Sequence, residues 1–125
     1  GLSYTEFEYS NLQIKLLDDV LNVAEVQVIV KNIGQQVGSE VVQVYIGKLP
    51  VPVPTPVKQL AGFTKVTLEP NHSTEVSISI PGRLISYWDE SAKTWSTVNG
   101  DILVLVGNSS EDERLKGILS SAIQE

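Results

Sequence analysis

The sequence predicts an all-β protein, an antiparallel sandwich of two sheets with about seven strands. Short segments alternate between apolar and polar residues, which is the pattern of strands with one buried face. Residues that favour turns separate these segments at intervals of roughly 8–12 residues, and no segment has a convincing helical period. The 125 residues, 42% of them hydrophobic, suit a single domain spanning residues 1–125.

The first half of the chain contains four predicted strands. The first covers residues 7–16 and is expected to break near Ser10 and Asn11, and the second covers residues 23–31. The third covers residues 40–48 and the fourth residues 58–68, in which Gly62 is expected to form a bulge. Between them, prolines at alternate positions from Pro50 to Pro56 predict an extended connection across a sheet edge.

The second half of the chain completes the pattern. Residues 74–80 give the cleanest alternation of the sequence, and residues 84–98 resemble a hairpin with its tip at residues 89–93. Residues 101–107 form the sixth predicted strand, and residues 113–120 supply a seventh.

Several separated motifs carry a family resemblance. They are EVVQVY at residues 40–45 and PVKQLAGFTKVTLEP at residues 56–70, with GLSYTEFEYSNL at the start and DILVLVGNSSEDERLKG at residues 101–117. Together they resemble the C-terminal fibronectin type III-like domain of glycoside hydrolase family 3, the β-glucosidase and β-xylosidase group. The resemblance implies an immunoglobulin-like, fibronectin type III-like sandwich. It also predicts a domain excised from the C-terminus of a larger multidomain enzyme.

The same resemblance implies a function. The parent chain would be a retaining β-glucosidase that hydrolyses terminal, non-reducing β-D-glucosyl residues of an oligosaccharide or glycoside. This domain would be a non-catalytic accessory that stabilises and orients the catalytic domains, which are its expected partners. In the resembled family the nucleophilic Asp and the acid/base Glu lie in other parts of the enzyme, and neither motif occurs here. A secreted or extracytoplasmic location is what the resemblance favours.

The residues themselves point to no catalytic, metal or cofactor site. A retaining glycosidase needs two carboxyl groups in a pocket, whereas the acidic clusters at residues 89–90 and 111–113 fall in predicted turns. His72 is the only histidine, and there is no cysteine. A net charge of −6 with scattered basic residues argues against nucleic acid and anionic membrane as partners. No apolar run is long enough to span a membrane.

A candidate docking surface comes from the sixth predicted strand, which is apolar on both faces. In the implied fold it lies beside the third strand, whose outward residues include Val41 and Tyr45. We therefore predict that Val41, Tyr45, Leu103 and Leu105 dock against another domain of the parent chain. The alternative is that the sixth strand is simply central, with long side chains covering it.

A second candidate surface is the aromatic hairpin. Tyr87, Trp88 and Trp95 would suit a sugar-stacking platform, and with Tyr45 they would make the chain a stand-alone carbohydrate-binding or adhesion module. Cross-strand aromatic packing within the hairpin explains the same residues, and a purely structural spacer is a third interpretation. Asn71 and Asn108 begin triplets that match the N-glycosylation acceptor pattern.

Overall fold

Two antiparallel sheets and a small hairpin make up the part of the chain that the structure, a computed structural model, describes: residues 6–17, 21–47, 58–89, 91, 93–97 and 100–120. The elements are β1 (Phe7–Leu16), β2 (Asn22–Asn32), β3 (Gly38–Gly47), β4 (Lys58–Leu68), β5 (Ser73–Pro81), the 3₁₀ helix η1 (Gly82–Ile85), β6 (Ser86–Asp89), β7 (Thr94–Thr97), β8 (Asp101–Gly107) and β9 (Leu115–Ser120). The proline-rich connection predicted between the third and fourth strands lies outside the described residues.

The strand order confirms the predicted sandwich. One sheet has three strands in the order β1-β2-β5, and the other has four in the order β4-β3-β8-β9. The hairpin of β6 and β7 forms a separate two-stranded sheet, which places Trp88 opposite Trp95 in the backbone register. The third and sixth strands of the sandwich were predicted to be neighbours. They pair as β3 and β8, with Gln43 opposite Gly107 at one end of the pairing and Ile46 opposite Val104 at the other.

The core lies between the two sheets and is built from alternate residues of the central strands. The inward side chains are fully buried aliphatics, whose removal from water stabilises the fold by about 1.5–3 kcal/mol each. They include Val26, Val28 and Val30 of β2, Val42, Val44 and Ile46 of β3, Ile80 of β5, and Ile102, Val104 and Val106 of β8.

Both predicted irregularities are present. Asn11 has a φ of 56°, and two residues of β1 oppose one residue of β2 between Ser10 and Gln13. In β4 the extra residue is Ala61, because Gly62 is opposite Val44 while Leu60 is opposite Tyr45. A bulge reverses which face each residue occupies, so Phe63 and Leu60 both point away from the core.

Two glycines allow the sheets to approach at their edges. A Cβ atom on Gly117 of β9 would lie 2.8 Å from Ile14 Cδ1 of β1, and one on Gly62 of β4 would lie 2.7 Å from Ile78 Cγ2 of β5. Both distances are shorter than van der Waals contact. The absence of these side chains therefore lets β1 pack against β9 and β4 against β5.

Asn32 connects two turns at one end of the sandwich, where it is fully buried. Its Nδ2 donates hydrogen bonds to the carbonyl oxygens of Gln36 at 2.9 Å and Leu68 at 2.8 Å. Its Oδ1 accepts one from the Gly34 amide at 2.8 Å. A buried amide is tolerated because its donors and its acceptor are all used, and the β2–β3 turn is thereby fixed to the end of β4.

A polar network at the same end joins β1, β3 and the β8–β9 loop. The Tyr9 hydroxyl donates to Glu40 Oε2 at 2.7 Å, and the Arg114 guanidinium lies 5.2 Å from the centre of the Tyr9 ring. Arg114 also donates to the Phe7 carbonyl oxygen and to Asp112 Oδ1, each at 2.8 Å. Burial, together with the Glu40 carboxylate, raises the pKa of Tyr9 well above its ordinary value.

Candidate domain-docking surface

The outer faces of the two sheets differ in polarity. On the three-stranded sheet, outward positions are occupied by Glu25 and Gln27 of β2 and by Ser77 and Ser79 of β5, which pair with them. Among the paired outward residues of this sheet, Ile29 is the one aliphatic side chain. This is the polar outer face expected of a sheet that is solvated on one side.

The outer face of the four-stranded sheet carries exposed apolar side chains from all four strands. Phe63 has 65% of its surface exposed and Ile118 56%, values that are high for side chains of this size. The full set is Leu60 and Phe63 of β4, Val41 of β3, Leu103 of β8 and Ile118 of β9. We call this set the apolar face.

The register places these residues in neighbouring rows across the sheet. Leu60 lies opposite Tyr45, which lies opposite Leu105, and Leu103 lies opposite Ile118. Neighbouring strands are about 4.8 Å apart, so the apolar face spans four strands in about 15 Å. Such a width is enough to contact one or two elements of another protein surface.

The centre of this face is covered by the chain's own polar side chains. Lys58 extends over Tyr45, with Nζ 5.9 Å from the ring centre, and ends 3.1 Å from Glu113 Oε2. It also donates to the carbonyl oxygen of Ser110. Lys116, which pairs with Leu105 across the strands, reaches Glu113 Oε1 at 3.6 Å. Three charged side chains therefore lie around Tyr45 and Leu105.

Because these charged side chains cover the centre of the face, its exposed residues differ from those that the sequence predicted for the docking surface. Leu105 has only 4% of its surface exposed, so for this residue the structure agrees with the alternative of a central strand under long side chains. Leu103 and Val41 are each 38% exposed, and Tyr45 is half-buried. Sequence reasoning missed Leu60, Phe63 and Ile118. The Gly62 bulge was the available signal for the first two, because it reverses the parity of β4.

Asp112 and Glu113 of the β8–β9 loop are ion-paired. Hydrogen bonding to Lys58 holds the pKa of Glu113 below its ordinary value, and Lys116 acts in the same direction. Asp112 pairs with Arg114, whose pKa it raises, and its second oxygen accepts from the Asn108 amide at 3.2 Å. The contacts with Lys58 and Lys116 favour the ionised form of the Glu113 carboxyl. They are the reverse of the apolar surroundings that keep a catalytic acid protonated.

The remaining candidate residues belong to a turn, a loop and the β6–β7 hairpin rather than to the apolar face. Asn71 is exposed in the β4–β5 turn with a φ of 68°. Asn108 is half-buried, and its Nδ2 donates to Glu40 Oε2 at 3.4 Å. For Tyr87, Trp88 and Trp95 the structure describes the backbone of the hairpin and not the side chains.

The described residues contain neither a cluster of metal ligands nor a long apolar helix. Among them, no group of three or more His, Cys, Asp or Glu side chains has the geometry of a metal site. No helix in the same ranges combines the length and the hydropathy that crossing a bilayer requires.

Comparison with known proteins identifies the class of domain. The family model described as fibronectin type III-like domain matches residues 40–110. This chain belongs to that family, in the form found in β-glucosidases. The chain is 45% identical over 114 residues to a β-glucosidase of Kluyveromyces marxianus, covering 90% of this chain and 13% of that protein. It is 39% identical over 117 residues to the thermostable β-glucosidase B of Acetivibrio thermocellus, covering 93% and 16%.

A solved structure extends the similarity to three dimensions. A β-glucosidase of Chaetomella raphigera superimposes with a TM-score of 0.85 at 38% identity, over 98% of this chain and 19% of that one. The chain thus spans less than one fifth of the relatives it matches.

Proposed function

We propose that this chain is a non-catalytic accessory domain of a larger β-glucosidase, and that its apolar face packs against another domain of that enzyme. The observation that carries the proposal is the contrast between the two outer faces, since only the four-stranded sheet presents exposed apolar residues from every strand. Exposed apolar side chains grouped on one face in this way are typical of an interaction surface. That the chain matches only 13% to 19% of the length of β-glucosidases supports a partner within the same polypeptide.

The reaction would be carried out by residues elsewhere in the enzyme. Retaining hydrolysis of a terminal β-D-glucosyl residue requires a nucleophilic carboxylate and an acid/base about 5–5.5 Å from it. Asp112 and Glu113 are engaged with Arg114, Lys58 and Lys116. Their role here is to organise the β8–β9 loop. Separating either from its cation would weaken the loop without producing a proton donor.

Docking would add stability through the burial of apolar area. Fully burying a Leu, Ile or Phe side chain is worth about 1.5–3 kcal/mol. Because about two thirds of Phe63 is still exposed, covering the remainder would supply about 1–2 kcal/mol before the costs of ordering the interface. Tyr45 and the lysines around it would form a more polar part of the same contact.

The test places two polar residues on the apolar face of the longer enzyme. The double variant Phe63→Ser and Ile118→Ser should lower the melting temperature of the longer enzyme by several degrees. In the chain expressed alone it should change the melting temperature little, because both residues are then exposed to water. Ile29→Ser, on the outer face of the other sheet, is the matched control. Equal losses in the chain and in the enzyme would contradict docking through this face.

A stand-alone carbohydrate-binding module is the second candidate. It is supported by the position of the β6–β7 hairpin outside both sheets, with Trp88 opposite Trp95 in the register. Such a module would be retarded on an affinity gel containing a soluble β-glucan, and Trp88→Ala would abolish the retardation. An accessory domain without sugar contacts would migrate as it does in a gel without glycan.

A further inference from the structure

The surroundings of the apolar face are more basic than the chain as a whole. The complete sequence has a net charge of −6. On the outer face of the four-stranded sheet, however, three lysines stand against two carboxylates: Lys58, Lys65 and Lys116 against Asp101 and Glu113. On the outer face of the other sheet the balance is reversed, with Lys15 and Lys31 against Glu8, Glu25 and Glu75.

Two of these lysines, Lys65 and Lys116, can form an ion pair with a carboxylate of another domain. Glu113 is a single carboxylate shared between Lys58 and Lys116, and the Lys116 side chain is 62% exposed. Lys65 is exposed beside Val41 and has no carboxylate partner among the described residues. Lys65 lies on β4 and Lys116 on β9, which are the edge strands of this sheet. The apolar face is therefore flanked by cations on both sides.

The distribution of charge indicates which kind of surface can bind the apolar face. An anionic membrane or a nucleic acid would also attract lysines, but both would repel a chain whose other surfaces are acidic. A protein surface that presents apolar side chains to the exposed residues of this face, and carboxylates to the lysines of its two edge strands, satisfies both features. Rim charges of this kind set orientation and exclude wrong partners more than they add affinity.

We propose that the apolar face recognises an apolar surface of another domain in the same enzyme whose carboxylates pair with Lys65 and Lys116. This inference rests on the proposed docking function and specifies the chemistry of its partner. The two lysines act as positioning residues: they fix the register in which the domain settles, while Phe63, Leu60 and Ile118 supply the buried area.

The experiment reverses the charge of the flanking residues in the full-length enzyme. Hydroxyl-radical labelling of Phe63 reports whether the face is covered. In the double variant Lys65→Glu and Lys116→Glu, we expect labelling at low salt to rise at least threefold over the unaltered enzyme. At about 1 M salt, where the Debye length is about 3 Å, this difference should shrink. The control, Lys15→Glu with Lys31→Glu, makes the same change in net charge on the other sheet and should leave Phe63 protected.

The outcomes separate this inference from the function on which it rests. If Phe63 stays protected in the charge-reversed enzyme, docking is retained and the carboxylate rim is wrong. If Phe63 is labelled in the unaltered enzyme as strongly as in the chain alone, docking through this face is itself wrong. Sedimentation of the unaltered enzyme with phosphatidylserine vesicles, lost in the Lys65→Glu and Lys116→Glu variant, would assign the face to a lipid surface and overturn the proposal.

Discussion

Replacing Asn32 by Ala should be among the most damaging single changes in the β2–β3 turn. The substitution removes three hydrogen bonds, to the Gln36 and Leu68 carbonyl oxygens and from the Gly34 amide, all between 2.8 and 2.9 Å. Gln36 is exposed and Gly34 is half-buried, so water can replace two of the bonds at a net loss of about 0.5–1.5 kcal/mol each. The Leu68 carbonyl is the one at risk of remaining unpaired, which costs about 1–3 kcal/mol.

The total expected loss is therefore about 2–6 kcal/mol, against a typical domain stability of about 5–15 kcal/mol. Equilibrium unfolding in urea, followed by tryptophan fluorescence, measures it directly. With a slope of about 1–3 kcal/mol per molar urea, the midpoint should fall by at least about 0.7 M. Gln35→Ala, an exposed substitution in the same turn, is the control and should shift the midpoint little. If Asn32→Ala and Gln35→Ala gave equal midpoints, Asn32 would not be the connection between the two turns.

Two further predictions concern Gly107 and Tyr9. Gly107→Ala should destabilise the domain by more than about 3 kcal/mol or prevent folding, because its Cβ would lie 1.5 Å from the Asp112 carbonyl oxygen; Gly82→Ala, whose Cβ meets only ordinary contacts, should be tolerated in the same urea experiment. Tyr9→Phe should make stability less sensitive to alkali. The raised pKa of Tyr9 stabilises the fold fully below pH about 10, and this contribution is lost above that pH because the unfolded chain ionises first. Between pH 10 and 12 the unaltered protein should therefore lose up to about 1.4 kcal/mol per pH unit more than the variant, and identical slopes would mean that Glu40 and burial do not hold the Tyr9 proton.

The sequence was sufficient to predict the strands because the alternation of apolar and polar residues shows directly which side chains are buried. The alternation in β5 predicted Val76, Ile78 and Ile80 as its core residues, and all three are buried. Gly62 likewise signalled the bulge of β4, and the break expected near Ser10 and Asn11 falls where β1 has its bulge. The family resemblance then supplied the pairing of β3 with β8, which no local pattern contains.

The docking surface was only partly predictable because its exposure depends on contacts between distant segments. Leu105 is buried opposite Tyr45. Lys58 extends from β4 over the Tyr45 ring to Glu113, which lies 55 residues further along the chain. Nothing in the sequence around Leu105 specifies that contact. The same limit applies to Asn32, whose side chain bonds to Leu68, 36 residues away. Periodicity assigns a face to each residue, whereas only the packed structure shows whether that face is covered.

The most direct test of the account is the intact mass of the native polypeptide that carries this segment, captured from its source and measured under denaturing conditions. An accessory domain that matches only 13% to 19% of the length of β-glucosidases predicts a mass several times the 13.6 kDa of this chain. A mass near 13.6 kDa would contradict the account. The apolar face would then be uncovered in the native protein, and the carbohydrate-binding module would become the leading candidate.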